Sequence, residues 1–390
     1  MTLVTLHDYA AALRPRYRAA RRRDKGKILD EFCQTTGMHR KAAIRLLNEA
    51  SRPKALRRGR PRKYGPEMVA PLLRVWEMGD RLCGKLLVAV MPDLLAALER
   101  HRELKVSPEV REQLLSMSGS TIDRLLRKQH RRLSDLRPAH KAPASASLKR
   151  EVPIRTWSEW GGVKPGSLQA DLVHHSGESG QGFFLTTLTT VDVASGWLEL
   201  QPVWGSGMER VGSAMHHIRQ RLPFKLEGLH TDNGSEFINH LLVPWCRREK
   251  IAFTRGRAYK KNDQAYVEQR NWQSVRRHAG YQRYSTKAAY AVLLKLYPLL
   301  CLQMNFLRPV RKLVAKERVG AKLAKRYDAP RTPYQRLLAS GVLTQTARAR
   351  LEQQLVALNP AELQRRFDQL LHRLWDLSDR WEGGRLVNAG

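Results

Sequence analysis

The stretch HTDNGSEF, His230 to Phe237, closes an apolar run, Leu226 to Thr231, and sets Asp232 where a strand gives way to a turn. Two further acids read with it. Asp171 lies in SLQADLVHH, in the strand-like run Leu168 to Val173, and Glu268 lies in NDQAYVEQRN, on a helical pattern. Thirty-five residues separate Asp232 from Glu268. Three carboxylates brought together in this way hold two divalent cations about 3.5–4 Å apart, an arrangement suited to in-line displacement at phosphorus. Asp171, Asp232 and Glu268 are therefore the candidate catalytic and metal-ligating residues.

The surrounding pattern predicts an α/β core. Strands are expected at Leu168–Val173, Phe183–Val193, Trp197–Val203, Leu226–Thr231 and Ile251–Thr254. Ala194-Ser195-Gly196 makes the second connection a tight turn, and helices are expected around Val211–Leu222 and Leu241–Arg248. Three strands followed by alternating helix and strand give a mixed five-stranded sheet with helices on its faces. Asp192 reads as a turn residue and Asp263 as a cap for the helix bearing Glu268. On that helix Glu268, Asn271, Trp272 and Val275 share a face, so the glutamate is expected toward the sheet with Trp272 and Val275 as anchors. His174, His175 and His230 flank the acids, but hard Mg²⁺ prefers oxygen, so structural or DNA-contacting roles are expected of them.

The core resembles the catalytic domain of retroviral integrases and of the insertion-sequence transposases related to them. The matching residues are Asp171 in QADLV, Asp232 with Asn233-Gly234-Ser235-Glu236-Phe237, and Glu268 in Asn262-Asp263-Gln264-Ala265-Tyr266-Val267-Glu268. The resemblance covers about 150–335, including Asn305-Phe306-Leu307-Arg308-Pro309 and Lys325-Arg326-Tyr327. It implies an RNase H-like fold and Mg²⁺- or Mn²⁺-dependent cleavage and joining of DNA, with two ions per active site. Retroviral integrases carry a His/Cys zinc module before the core. This chain has none, which favours the transposase branch.

Helix-turn-helix patterns stand there instead. Ile28, Leu29 and Phe32 share one face, Thr35-Thr36-Gly37 breaks it, and Ala43, Leu46 and Leu47 resume it, with Arg40, Lys41, Arg45 and Asn48 on the other side. A second copy follows: Met117, Thr121, Ile122, Arg124, Leu125 and Leu126 match Met38, Ala42, Ala43, Arg45, Leu46 and Leu47 at the same offsets. Ser107-Pro108-Glu109 starts its first helix, which presents Val110, Leu114 and Leu115, and the apolar run Leu72–Leu98 supplies its core. Between the copies, Arg57-Arg58-Gly59-Arg60-Pro61-Arg62-Lys63 resembles an AT-hook, an extended strip thin enough for a narrow minor groove. DNA contacts are thus expected from Arg40, Lys41, Arg45, Asn48, Arg58, Arg60, Arg62, Arg124, Arg127 and Lys128, and near the acids from Lys260, Lys261 and Arg270, with Arg276 and Arg277 as further candidates.

Composition bears on the same reading. The 390 residues hold 70 Lys+Arg against 36 Asp+Glu, a formal net charge of +34, and 42% are hydrophobic, enough for sizeable cores. Such a charge covers nucleic-acid phosphates, with ribosome-like or membrane-surface proteins as the blander alternatives. Four scattered cysteines without a Cys/His cluster argue against structural zinc, and no continuous run of 18 apolar residues predicts a membrane span. A cytoplasmic, nucleoid-associated protein is expected. Leu363, Phe367, Leu370, Leu374 and Leu377 form a heptad-like seam, expected either to assemble copies on DNA or to pack on the chain's own core.

The expected division is 1–56 first helix-turn-helix module, 57–64 AT-hook-like linker, 65–130 second module, 131–150 basic linker, 151–290 RNase H-like core, 291–345 basic DNA-binding extension and 346–390 helical tail. The expected function is a transposase that binds the terminal inverted repeats of its mobile element and joins them to target DNA, as a homo-oligomer on double-stranded DNA without a membrane. The alternatives are a domesticated DNA-binding regulator that keeps the fold and a simple RNase H-like nuclease.

Overall fold

The computed structural model describes residues 3–48, 64–127, 163–257, 261–319, 322–382 and 385–387. Contacts divide the chain into two units, Met1–Lys63 and Tyr64–Gly390. The strip with Arg58, Arg60 and Arg62, the linker 131–150, Lys128, Lys260 and the side chain of Lys261 lie outside the described residues.

In the first unit, α1 (Leu3–Ala19), α2 (Arg22–Thr36) and α3 (Arg40–Asn48) enclose their own core. Ile28, Leu29 and Phe32 of α2 are buried against Ala43 and Leu47 of α3, as their spacing predicts. Gly37 stops α2 in the left-handed region, φ 68°, and its N–H bonds to the Cys33 carbonyl at 2.8 Å. The sequence pattern showed no helix before residue 25. Pro15 and the arginines around it obscure the stripe Leu6, Ala10, Leu13 and Tyr17, yet Ala10 and Tyr17 are buried and Tyr9 stacks on Phe32 at 5.4 Å.

The second unit opens with α4 (Val69–Met78), α5 (Gly84–Arg100), α6 (Pro108–Leu115) and α7 (Gly119–Leu125). The expected run Leu72–Leu98 is broken at residues 79–83, where Asp80 and Arg81 take positive φ values of 54° and 55°. Ser107 caps α6 by accepting from the Val110 N–H at 3.4 Å. Leu114 is buried as expected, but Leu115 is exposed.

The sheet follows: β1 (Ser167–His174), β2 (Thr186–Asp192), β3 (Leu198–Val203), β4 (Gly228–Thr231) and β5 (Ala252–Arg255), with α8 (Met208–Arg221) before β4 and α9 (Leu242–Arg248) before β5. Its five strands run in the order β3-β2-β1-β4-β5. The first three form an antiparallel meander, and β4 and β5 run parallel to β1. This is the mixed sheet the pattern predicts. Asp192 holds its turn as expected, accepting from the Ser195 N–H and hydroxyl at 2.6 Å each.

After the sheet come α10 (Ala265–Arg270), which continues as a π-helical stretch, Asn271–Arg276, and α11 (Lys287–Leu302), which ends in another, Gln303–Leu307. The combined run Lys287–Leu307 is long and apolar enough to cross a membrane, but 67% of its most apolar window is buried inside the protein, against β3 and the C-terminal helices. The segment 305–345 holds a two-stranded ribbon, β6 (Leu313–Val319) and β7 (Lys322–Tyr327), and α12 (Pro333–Ser340). The tail contains α13 (Gln345–Ala357), α14 (Pro360–Asp376) capped by Asn359, and a small hairpin, β8 (Arg380–Glu382) and β9 (Arg385–Val387).

The seam on α14 takes the second of its two expected courses. Leu363, Phe367, Leu371 and Leu374 are buried in the chain's own core, with α14 packed along α11, while Leu370 and Leu377 are only half-buried. The helical period of 3.6 turns Leu371, rather than Leu370, inward. An apolar face covered within one chain offers no seam to a second copy.

Candidate active site

The sheet brings two of the three acids level. β1 pairs with β4 in parallel, Leu168 opposite Leu229 and Gln169 opposite His230. The pairing ends at Gln169 and His230, so Asp171 and Asp232 each lie two residues beyond it along neighbouring segments of chain. Asp171 is buried, and one carboxylate oxygen accepts from the Leu172 N–H at 2.9 Å. Asp232, just past β4, accepts from the Gly234 N–H at 2.9 Å, so the Asp-Asn-Gly turn fixes its carboxylate. Asn233 accepts from Arg255, at the end of β5, at 2.8 Å.

Glu268 arrives on α10. Gln169 pins the start of that helix to β1: its amide donates to the Asp263 carbonyl at 3.0 Å and its oxygen accepts from the Val267 N–H at 3.3 Å. Asn271, one turn beyond Glu268, donates to the other Asp171 oxygen at 2.6 Å, and its own side-chain oxygen is buried without a partner. Gln169 and Asn271 had no assigned role in the sequence. Their signal was present: Gln169 shares a strand face with Asp171, and Asn271 a helix face with Glu268. Glu268 itself is exposed, not turned in against the sheet as expected, and among the described residues no three His, Cys, Asp or Glu side chains are gathered closely enough to hold a metal ion. Glu268 stands one helical turn before Asn271, which touches Asp171.

Three local expectations are corrected. Trp272 does not anchor the helix: it is 56% exposed, because the buried face runs through Val267, Arg270, Asn271, Ser274 and Val275. These positions follow the i, i+3, i+4, i+7, i+8 spacing of one helix face, and Trp272 falls outside it. Asp263 does not cap α10; it accepts from the Arg257 N–H at 3.0 Å and from its guanidinium at 2.9 and 3.0 Å. Arg270 is not a phosphate contact. Only 4% exposed, it donates to the Gly196 carbonyl at 3.1 Å, and burial, aided by Arg308, pulls its pKa down to about 9.

Arg276 and Arg277 are likewise engaged within the chain. Arg276 donates to the His174 carbonyl at 2.8 Å, and Arg277 pairs with Asp80 at 3.0 Å. His175 is buried against the Thr187 hydroxyl at 2.8 Å, and His230 meets Thr254 at 2.9 Å. Burial, then Arg276 and His174, push the His175 pKa down to about 3. The remaining described DNA-contact candidates, Arg40, Lys41, Arg45 and Asn48 on the first unit and Arg124 and Arg127 on the second, are all exposed. Arg40 is paired with Asp30.

No protein-family model matches the chain. The uncharacterized protein y4rM of Sinorhizobium fredii is 41% identical over 336 residues, covering 86% of this chain and 96% of that protein. Among solved structures, the catalytic core domain of BIV integrase is 20% identical and covers 45% of this chain and 95% of its own, with a TM-score of 0.29. The HTLV-2 integrase catalytic core domain in complex with magnesium is 16% identical and covers 45% and 97%, with a TM-score of 0.30. At such scores the likeness bears neither on which residues act nor on what they do.

Proposed function

The chain belongs to one family with the y4rM protein, and we propose that it is a DNA transposase: a polynucleotidyl transferase that cuts and joins DNA at Asp171, Asp232 and Glu268. The observation that supports the reading is the parallel pairing of β1 and β4, which ends two residues short of both Asp171, within β1, and Asp232, just past β4. The motif order and the 35-residue gap to Glu268 supply the third acid.

The donor set suits a hard divalent cation. Asp171 and Asp232 offer carboxylate oxygens, while the neighbouring rings of His175 and His230 contact threonines. The buried Asn271 oxygen adds an unpaired acceptor beside Asp171. Asp171, Asp232 and Glu268 would hold Mg²⁺ or Mn²⁺, two ions per site. Such ions lower the pKa of an attacking water or 3′-hydroxyl and stabilise the leaving oxygen. The chain's own share is orientation. The Leu172 N–H and the Asn271 amide fix both oxygens of Asp171, Gly234 fixes Asp232, and Arg255 brings positive charge to the same edge. The exposed basic faces of α3 and α7 would bind the ends of the mobile element. Joining two ends calls for at least two copies, one site per end, assembled on DNA in the nucleoid of the cytoplasm.

The test is strand transfer in Mg²⁺, using duplexes copied from the DNA flanking the gene. The parent joins strands. Asp171→Asn, Asp232→Asn and Glu268→Gln each abolish joining and leave binding to the same duplexes near the parent level. Joining at the parent rate by any of the three removes that residue from the site.

A further inference from the structure

Trp272 is the large side chain on the site helix that the fold leaves unused. The other tryptophans described near this core have structural work. Trp197 donates its indole N–H to Glu199 at 3.0 Å, Trp375 to the His278 carbonyl at 3.0 Å and Trp76 to the Leu82 carbonyl at 2.8 Å. Among the described residues, Trp272 has no hydrogen-bond partner and no stacked ring, and it is the most exposed aromatic side chain, at 56%. A side chain this large is usually mostly covered in a folded chain.

Its position is specific. Across the surface of α10 and its π-helical continuation, Asn271 forms the inner edge, in contact with Asp171; Glu268 comes next, and Trp272 lies outermost, one turn after Glu268. The indole thus lies on the exposed side of the helix, one turn along from Glu268. A strand held by Glu268 together with the aspartates would run along the surface that carries it. A phosphate would gain nothing from an uncharged ring beside a glutamate, whereas a nucleobase would gain a stacking face. Stacking on an aromatic side chain tolerates any base, because every base has a π-face. Bases inside a duplex are already stacked, so the one that reaches Trp272 must be unpaired or at an opened end.

We propose that Trp272 stacks on an unpaired base of the reacting DNA strand, next to the scissile position, and so holds the opened strand end at the acids. This rests on the reading of Asp171, Asp232 and Glu268 as a strand-joining site. Trp272 is a positioning residue, with no part in bond making.

The probe is a duplex of arbitrary sequence with a splayed end carrying 2-aminopurine, compared with its blunt counterpart. Binding is measured without divalent ions on the full chain. The parent quenches the 2-aminopurine and prefers the splayed duplex. Trp272→Ala, folded by circular dichroism, loses the quenching and binds the splayed end about five- to a hundredfold more weakly, with blunt-duplex binding unchanged. Trp272→Phe retains most of both. If Trp272→Ala quenches and binds as the parent does, the proposal is overturned. It is equally overturned if the variant changes only the mass of the free protein in light scattering, since the ring would then face a second copy. Asp171→Asn separates the two readings: with normal quenching and no joining both stand, whereas joining by that variant sinks the site assignment and leaves the stacking result standing.

Discussion

The helical unit α1–α3 and the helical segment α4–α7 each end in a short helix with exposed arginines, yet they are stabilised differently. The first buries Phe32, Ala43 and Leu47 among its own helices. The second shares one continuous core with the sheet and the tail, and is tied to them by charge. Asp80, in the strained α4–α5 turn, pairs with Arg277 beyond the π-helical stretch and with Arg308 after α11. Glu103 accepts from Arg365 at 2.7 and 3.0 Å and from Asn359 at 3.0 Å. A matching local pattern therefore does not make matching modules; the residues between the pattern positions decide whether a segment stands alone.

The largest effect expected from this contrast is all-or-none. A fragment of residues 1–63 should show a cooperative thermal melt, and a fragment of residues 64–127 should not fold by circular dichroism. A sharp melt from the second fragment would erase the distinction. Next in size is Asp80→Ala, which leaves two arginines facing a buried gap. It should cost about 3–5 kcal/mol in denaturant unfolding. A loss below about 1 kcal/mol would show that the apolar contacts alone hold the segment.

Acid should separate the units further. His175 and His278 in the second unit are buried, and burial, with nearby arginines, lowers each pKa to about 3. A folded-state pKa below the unfolded value of about 6.5 means that the unfolded chain takes a proton the folded chain refuses. Stability is then complete above about pH 6.5 and is lost as pH falls toward 3, by roughly 1.4 kcal/mol per pH unit for each histidine. Asp80, Asp192 and Glu199, raised by burial, act with the opposite sign. The measurement is therefore the difference between the parent and a His175→Gln, His278→Gln variant, whose stability should fall less between pH 7 and 5.5. Parallel curves would contradict it. The two histidines of the first unit, His7 and His39, are both exposed. Smallest of all is Asp30→Ala there. Its exposed pair with Arg40 should be worth less than about 1 kcal/mol, and a larger loss in unfolding would make that pair more than a surface contact.

The strands were legible because alternating and continuous apolar runs, such as Leu168–Val173, are bounded by turn residues such as Ala194-Ser195-Gly196. The places of Asp171 within β1 and of Asp232 just past β4 were legible for the same reason. Features that depend on helix phase were not. Glu268, Asn271, Trp272 and Val275 were read as one face, but the buried face centres on Val267, Asn271 and Ser274 and leaves Trp272 outside. Arg270 looked like a surface cation because nothing local to it reveals Gly196, seventy-four positions away, as its partner. The tail seam showed its periodicity plainly, but periodicity is silent on whether the covering surface belongs to the same chain.

The most direct measurement of the central claim is the binding of Mn²⁺ to the full chain, followed by titration calorimetry, for the parent and for Asp171→Asn, Asp232→Asn, Glu268→Gln and the neighbouring control Asp263→Asn. The prediction is that each of the first three weakens Mn²⁺ binding at least about tenfold, while the control, whose carboxylate is committed to Arg257, binds as the parent does. Parent-like binding by Asp171→Asn and Asp232→Asn would contradict it.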